Sequence, residues 1–237
     1  MTWEAVSRAG VWPPYLFPSP GGVWQALVYG FQDRSFLFGM GASISRILIG
    51  YSISLTLGGA LGLAASRFKF VEDTVGSLVL RFQVLPSICW LPLAILWFGL
   101  NMTAIQFVVV MGALPSIVIA TDNGIRNIAP VYVKAAHTMG VRGVDLYRRV
   151  ILPAALPSIV TGMKMGWAFA WRSLMAGELI FVSSGLGYLL TMGRELNDMA
   201  QVVAVMLVIV TVGIVFDKFF SLFEKRLRLK WGTVAGV

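Results

Sequence analysis

The residues best placed to do chemistry are ionisable groups set in otherwise apolar sequence. Lys164, Arg172 and Glu178 stand within the run Leu156–Phe181, and Arg46 stands near the start of another run, Leu37–Ala65. A charge costs free energy in hydrocarbon, so such a group must face protein or water, and it marks a path or a pairing. On a helix Lys164 and Glu178 are about 40° apart around the axis, and Arg172 is roughly 120° from Glu178. Arg172 lies about 24 Å along from Leu156 at a 1.5 Å rise, against about 12 Å for Lys164. Two roles fit Arg172: meeting the charge of an anion inside a path, or pairing with Glu178 or an acid of another helix. Lys164 can snorkel to the membrane edge or face the path. Glu178 would repel an anion, so a structural or gating bond suits it, and Arg46 is expected to meet headgroups or Glu178. Trp171, with Trp90, Trp97 and Trp167, can gate a path, stack on an organic solute, or simply pack.

The enzymatic constellations are missing. One His (His137) and one Cys (Cys89) make no zinc cluster and no intrachain disulfide, and there is no paired-carboxylate or Ser/His/Asp arrangement. No GxxxxGK[ST] loop is present to cradle ATP phosphates. No catalytic residue, metal or cofactor is therefore expected.

The elements that must hold these residues are membrane helices. Of 237 residues, 57% are hydrophobic and 13% charged, about half the charge of a soluble domain, too little to cover a water-soluble core. Five apolar stretches are spaced along the chain: Leu37–Ala65, Leu85–Leu100, Ala104–Ala120, Leu156–Phe181 and Val202–Phe216. The second, third and fifth fall short of the ~20 residues a bilayer core needs and must borrow flanking residues. Nineteen Lys and Arg against eleven Asp and Glu leave +8. The cations gather in Ser66–Arg81, Thr121–Ala155 and the tail after Phe216, whereas Asn101–Thr103 carries none and Val182–Gln201 only Arg194. The positive-inside bias then sets the amino terminus outside and the carboxyl terminus inside, and that distribution argues for lipid rather than nucleic acid as the partner.

The expected fold is all-α: a polytopic bundle of five spans, N-out and C-in, with a cytoplasmic loop for docking. Residues 1–36, rich in Trp and Pro, form an interfacial segment, with no signal-peptide pattern in Met1–Pro20. Residues 37–217 form the membrane domain, with its loop at 121–155, and residues 218–237 form a basic cytoplasmic tail.

The loop is the most informative stretch. Pro130 opens a short helix that Gly140 ends, and a second amphipathic piece, Val144–Val150, runs into Pro153. A short helix with small residues at Ala135 and Ala136, flanked by cations, suits either docking of a partner or a position in the lipid interface. The stretch resembles the EAA loop in the membrane subunits of bacterial ABC importers: Glu-Ala-Ala, three residues, Gly, nine residues, an aliphatic, any residue, Leu-Pro. Ala135-Ala136, Gly140, Val150 and Leu152-Pro153 keep that spacing, and Lys134 stands where the pattern has Glu. Phe17–Trp24, Ser45–Gly50, Leu91–Gly99 and Gly177-Glu-Leu179 with Gly185–Tyr188 are similar to the nitrate/sulfonate/taurine/bicarbonate subfamily.

The resemblance implies a multi-pass permease of the bacterial inner membrane that works by alternating access on a small anion. It implies separate ATP-binding-cassette ATPases gripped through Tyr132, Lys134, Ala135, Ala136, His137, Gly140, Leu152 and Pro153. A second permease copy and an extracytoplasmic solute-binding protein complete the assembly. It also implies a further helix ahead of the Pro-Ser-Pro segment, which residues 1–36 are too short to hold whole. An ATP-independent carrier or channel would lack the docking helix, and a membrane-embedded lipid-modifying enzyme would need clustered acids, His or Ser.

Overall fold

The structure is a computed structural model that describes residues 2–8, 13, 16–181 and 184–230. Among the described residues every regular element is a helix: α1 (Thr2–Arg8), α2 (Pro20–Gln32), α3 (Ser35–Arg67), α4 (Lys69–Val84), α5 (Ser87–Phe98), α6 (Met102–Arg126), α7 (Pro130–Thr138), α8 (Gly143–Ile180), α9 (Leu186–Glu195) and α10 (Met199–Lys230). Trp12, Pro14 and Tyr15 of the aromatic amino-terminal segment lie outside the described residues.

Helices α3, α6, α8 and α10 are each long and apolar enough to cross a bilayer. The expectation for the second span needs correcting. The cation-rich connection Ser66–Arg81 is itself helical: Phe68 is extended (φ −115°, ψ 112°) for one residue only, and the chain then re-enters a helix. That helix, α4, and its successor α5 qualify as apolar only as a pair, and they meet at 106°. The cause is local. Pro86 has no N–H and forces Leu85 out of the helical region, to φ −77°, ψ 122°. Pro92, by contrast, sits in the first α-helical turn of α5, which begins at Leu91 after the 3-10 turn Ser87–Trp90, and a missing N–H costs nothing there. The pair supplies the fifth crossing if it acts as one broken span.

The amino-terminal helices are short. Ser19 caps α2, its Oγ accepting from the Gly22 N–H at 3.1 Å, and α2 lies against α10 and α3. At thirteen residues it is about 20 Å long.

Helix α6 is the spine, flanked by α3 and α8. Both contacts depend on missing side chains, as in other tightly packed membrane helices. A Cβ on Gly62 would lie 2.6 Å from Thr121 Cβ, and one on Gly162 would overlap Ala120 Cβ. Gly59, one residue off the packed face, has nothing within 4 Å. Asn101 starts the spine by accepting the Thr103 and Ala104 N–H groups on Oδ1, at 2.9 and 3.3 Å. Helix α8 begins at Gly143, inside the expected loop, and takes a wide π-type turn over Tyr147–Ile151. That turn moves aside the carbonyl four residues ahead of Pro153, which the ring would otherwise strike.

Candidate functional site

Three assemblies occupy the bundle. The first is at the end where α6 gives way to α7. Ala136 is the one buried residue of α7, and it sits with Leu146 and Ile151 in a small apolar cluster that Val133, Val141, Tyr147 and Val150 complete. Gly140 adopts φ +81° and turns the chain directly after the helix. Tyr132, Lys134, Ala135, His137 and Gly140 are exposed, as is Leu152, while Pro153 is half-buried at the base of α8. The expected docking residues thus share one end of the molecule, and Ala136 seats the helix rather than projecting from it.

The second assembly is a groove bounded by the α4–α5 junction, α6 and α8. It comprises a cavity of about 330 Å³ beside Pro86, Ser87, Gly112 and Arg172. A wider cavity of about 580 Å³ beside Asn123, Ser158 and Thr161 adjoins it. Gln83, Ser116 and Phe169 border both, so the two run together along α8. Arg172 is exposed, its guanidinium 5.7 Å from the Phe169 ring centre, and no carboxylate among the described residues is within ion-pair distance. Ser87, at the bend, bonds Ser173 Oγ at 2.6 Å and ties the junction to α8.

The groove's neutral polar residues Gln83, Ser87 and Ser116 were not singled out from sequence. The available signal was a polar residue directly after Pro86 inside an apolar run. Arg172 also edges a smaller recess of about 180 Å³ on the far side of α8, with Lys164, Trp171 and Asp217. There Lys164 Nζ donates to Ser221 Oγ at 2.7 Å and lies 3.3 Å from Asp217, tying α8 to α10. Trp171 is buried against Gly213.

The third assembly locks the opposite end. Glu178 is fully buried and pairs with Arg46 Nη1 at 2.6 Å. Its carboxylate also accepts from Ser43 Oγ (2.7 Å) and the Gly187 N–H (3.0 Å). Ser43 Oγ in turn accepts the Leu186 N–H at 2.9 Å. Arg46 also donates from Nη1 to the Ser184 carbonyl and from Nη2 to its hydroxyl, at 2.5 and 2.6 Å. The buried charges are therefore paired and hydrogen-bonded, as such burial requires. Glycines make the approach possible: a Cβ at Gly185 would lie 2.6 Å from Glu178 Oε2, and one at Gly187 would strike Glu178 Cβ. Ser43, Ser184 and Gly187 were also missed from sequence, since nothing local in them announces a carboxylate partner. Among the described residues no group of three or more His, Cys, Asp or Glu could hold a metal ion.

Residues 54–229 match the family described as binding-protein-dependent transport system inner membrane component. The chain is 34% identical over 229 residues to a putative aliphatic sulfonates transport permease protein of Escherichia coli K12, covering 97% of this chain and 87% of that one. It is 30% identical over 221 residues to a putative ABC transporter permease protein of Methanocaldococcus jannaschii, covering 90% and 82%. In fold it is similar to a chain of an amino acid ABC transporter crystallised with histidines: TM-score 0.71 at 18% identity, over 84% of this chain and 97% of that one.

Proposed function

The chain belongs to the binding-protein-dependent transport system inner membrane components, and from that membership we propose that its groove carries a small oxyanion or an organic sulfonate. It is a multi-pass inner-membrane permease subunit of an ABC importer, a transport subunit rather than an enzyme. The family implies ATPase subunits and a solute-binding protein as partners.

The observation that carries the anion reading is Arg172, an exposed cation with no carboxylate partner among the described residues, on the wall of the α4–α5–α6–α8 groove. Gln83, Ser87 and Ser116 beside it supply neutral hydrogen-bond groups, which hold an oxyanion without trapping it. The sulfonate permease among the relatives supports the same solute class. The groove is walled by one chain on one side, and a second copy set against it closes the path. Cations at the α7 end, among them Arg67, Lys69, Arg142, Arg148, Lys225 and Arg226, support a cytoplasmic position for that end, with α7 seated on the ATPase. Closure of two ATPases draws the paired α7 helices together and rocks α8 and α6 about the path, giving alternating access by rigid-body motion. On this orientation the Arg46–Glu178 lock holds the outer end of the bundle. Lys164, held by Asp217 and Ser221, serves packing.

Proteoliposomes holding the permease, its ATPase and its binding protein, assayed with ethanesulfonate, test the reading. A hydrogen bond to a charged group is worth about 1.5–3 kcal/mol, so Arg172→Ala should lower kcat/KM for uptake by roughly 10- to 150-fold. Arg172→Lys should retain part of it, and the complex should stay assembled in both. Unchanged uptake, or loss of assembly, would refute the solute-facing role.

A further inference from the structure

We propose that the ATPase surface receiving α7 is acidic as well as apolar, with a carboxylate set opposite Lys134; this rests on the docking reading above. Ala136 points into the body of the protein and fixes the rotation of α7. At 100° per residue Lys134 and Thr138 each lie about 160° from Ala136, and Val131 about 140°. These three side chains crown the helix. Thr138 turns its hydroxyl back to the Lys134 carbonyl at 3.0 Å, which leaves Lys134 as the one charge on the crown. Around it Val131, Tyr132, Met139 and Val144 are 58% to 83% exposed, an apolar rim suited to a partner's cleft.

The surrounding charges do not neutralise Lys134. Between Thr121 and Ala155 there are five Lys and Arg against two Asp. Both acids are engaged: Asp122 with Arg126 at 2.7 Å and Asp145 with Arg149 at 3.4 Å. Lys134, Arg142 and Arg148 have no carboxylate within ion-pair distance among the described residues. A cleft that seats the apolar rim removes water from Lys134 as well. An ammonium left unpaired at such a contact opposes binding, and a basic residue facing it opposes binding further. A carboxylate in the cleft reverses the sign and gives the contact its specificity. The pattern to which this loop is similar carries Glu at the same position, so the partner surface here is expected to be matched to the opposite charge.

The test is co-expression of the chain with its ATPase and tagged recovery in mild detergent, with Lys134→Arg, Lys134→Gln and Lys134→Glu compared with the wild type. Lys134 makes no side-chain bond among the described residues, so all three should melt with the wild type. ATPase recovery at equal salt should be unchanged for Arg, reduced a few-fold for Gln and reduced more than about tenfold for Glu. High salt should narrow the gap between variants. Replacing a cleft Asp or Glu of the ATPase with Lys should restore recovery with Lys134→Glu. Equal recovery across the series, or equal losses for Gln and Glu, would overturn the acidic cleft while leaving docking intact. A wild-type chain that recovers no ATPase would instead remove the docking reading and this inference with it.

Discussion

The Arg46–Glu178 pair offers the sharpest test of how the bundle is held. The Glu178 side chain is 0% exposed and that of Arg46 7%, so a change at either leaves the other buried without its counter-ion. Glu178→Gln keeps the shape and can still accept from Ser43 and Gly187, but it removes the charge that Arg46 needs. Breaking one partner of a buried pair costs about 3–5 kcal/mol. At about 2–4 °C per kcal/mol for a chain of this size, that is a fall in Tm of roughly 6–20 °C. The assay is a thermal melt of the detergent-solubilised complex followed by size-exclusion fluorescence. Arg46→Leu should fall by a similar amount. The double variant Arg46→Leu with Glu178→Leu removes both charges and should lose less than the sum of the Arg46→Leu and Glu178→Leu singles, with a coupling of about 1–3 kcal/mol. It should not regain wild-type stability, because the Gly187 N–H and the Ser43 and Ser184 hydroxyls lose partners worth about 1 kcal/mol each. Strictly additive losses would refute the pairing. An unshifted melt with abolished uptake would make the pair a gate instead of a lock.

Packing predicts a contrast between two glycines. Gly162→Val should abolish folded expression because its side chain has no room against Ala120, whereas Gly59→Ala should express and transport normally, read by membrane yield and uptake. At Gly140 the cost comes from φ +81° rather than crowding. Gly140→Val should cost at least about 1–2 kcal/mol of local strain and uncouple ATP hydrolysis from uptake. Gly140→Asn, which tolerates that conformation, should retain coupling, as measured by ATPase stimulation. The Lys164–Asp217 contact has side chains 28% and 60% exposed, so Lys164→Met should change stability by no more than about 1 kcal/mol. It should leave the KM for ethanesulfonate unchanged, and a raised KM would move Lys164 onto the path.

Much of this molecule is legible along one dimension. The apolar runs at Leu37–Ala65, Ala104–Ala120, Leu156–Phe181 and Val202–Phe216 each lie within a long helix, because hydropathy over some twenty residues is a local property. The spacing of Ala136, Gly140 and Pro153 marks a short helix and its turn for the same reason: caps and prolines act within a few residues. Pro86 was visible as an interruption, yet its consequence was not. Whether a proline in an apolar run kinks, bends or breaks a span depends on what the freed chain packs against, and here α4 and α5 turn through 106° across α6 and α8.

The roles of the charges needed the tertiary structure. Arg46 and Glu178 are 132 positions apart, and Lys164 and Ser221 are 57; no helical period relates residues on different helices. Sequence offered Glu178 as a partner to Arg46 and to Arg172 alike. Only the packed bundle gives Glu178 to Arg46 and leaves Arg172 facing a groove whose other polar residues come from α4, the bend, α6 and α8. Sequence by itself determined that this is a membrane bundle with a short loop helix at its basic end, because bilayer thickness, charge asymmetry and capping are read from neighbours. Which charges neutralise each other and which one lines the groove was decided by helix packing, since an ion pair acts over a few ångströms of space, whatever the distance along the chain.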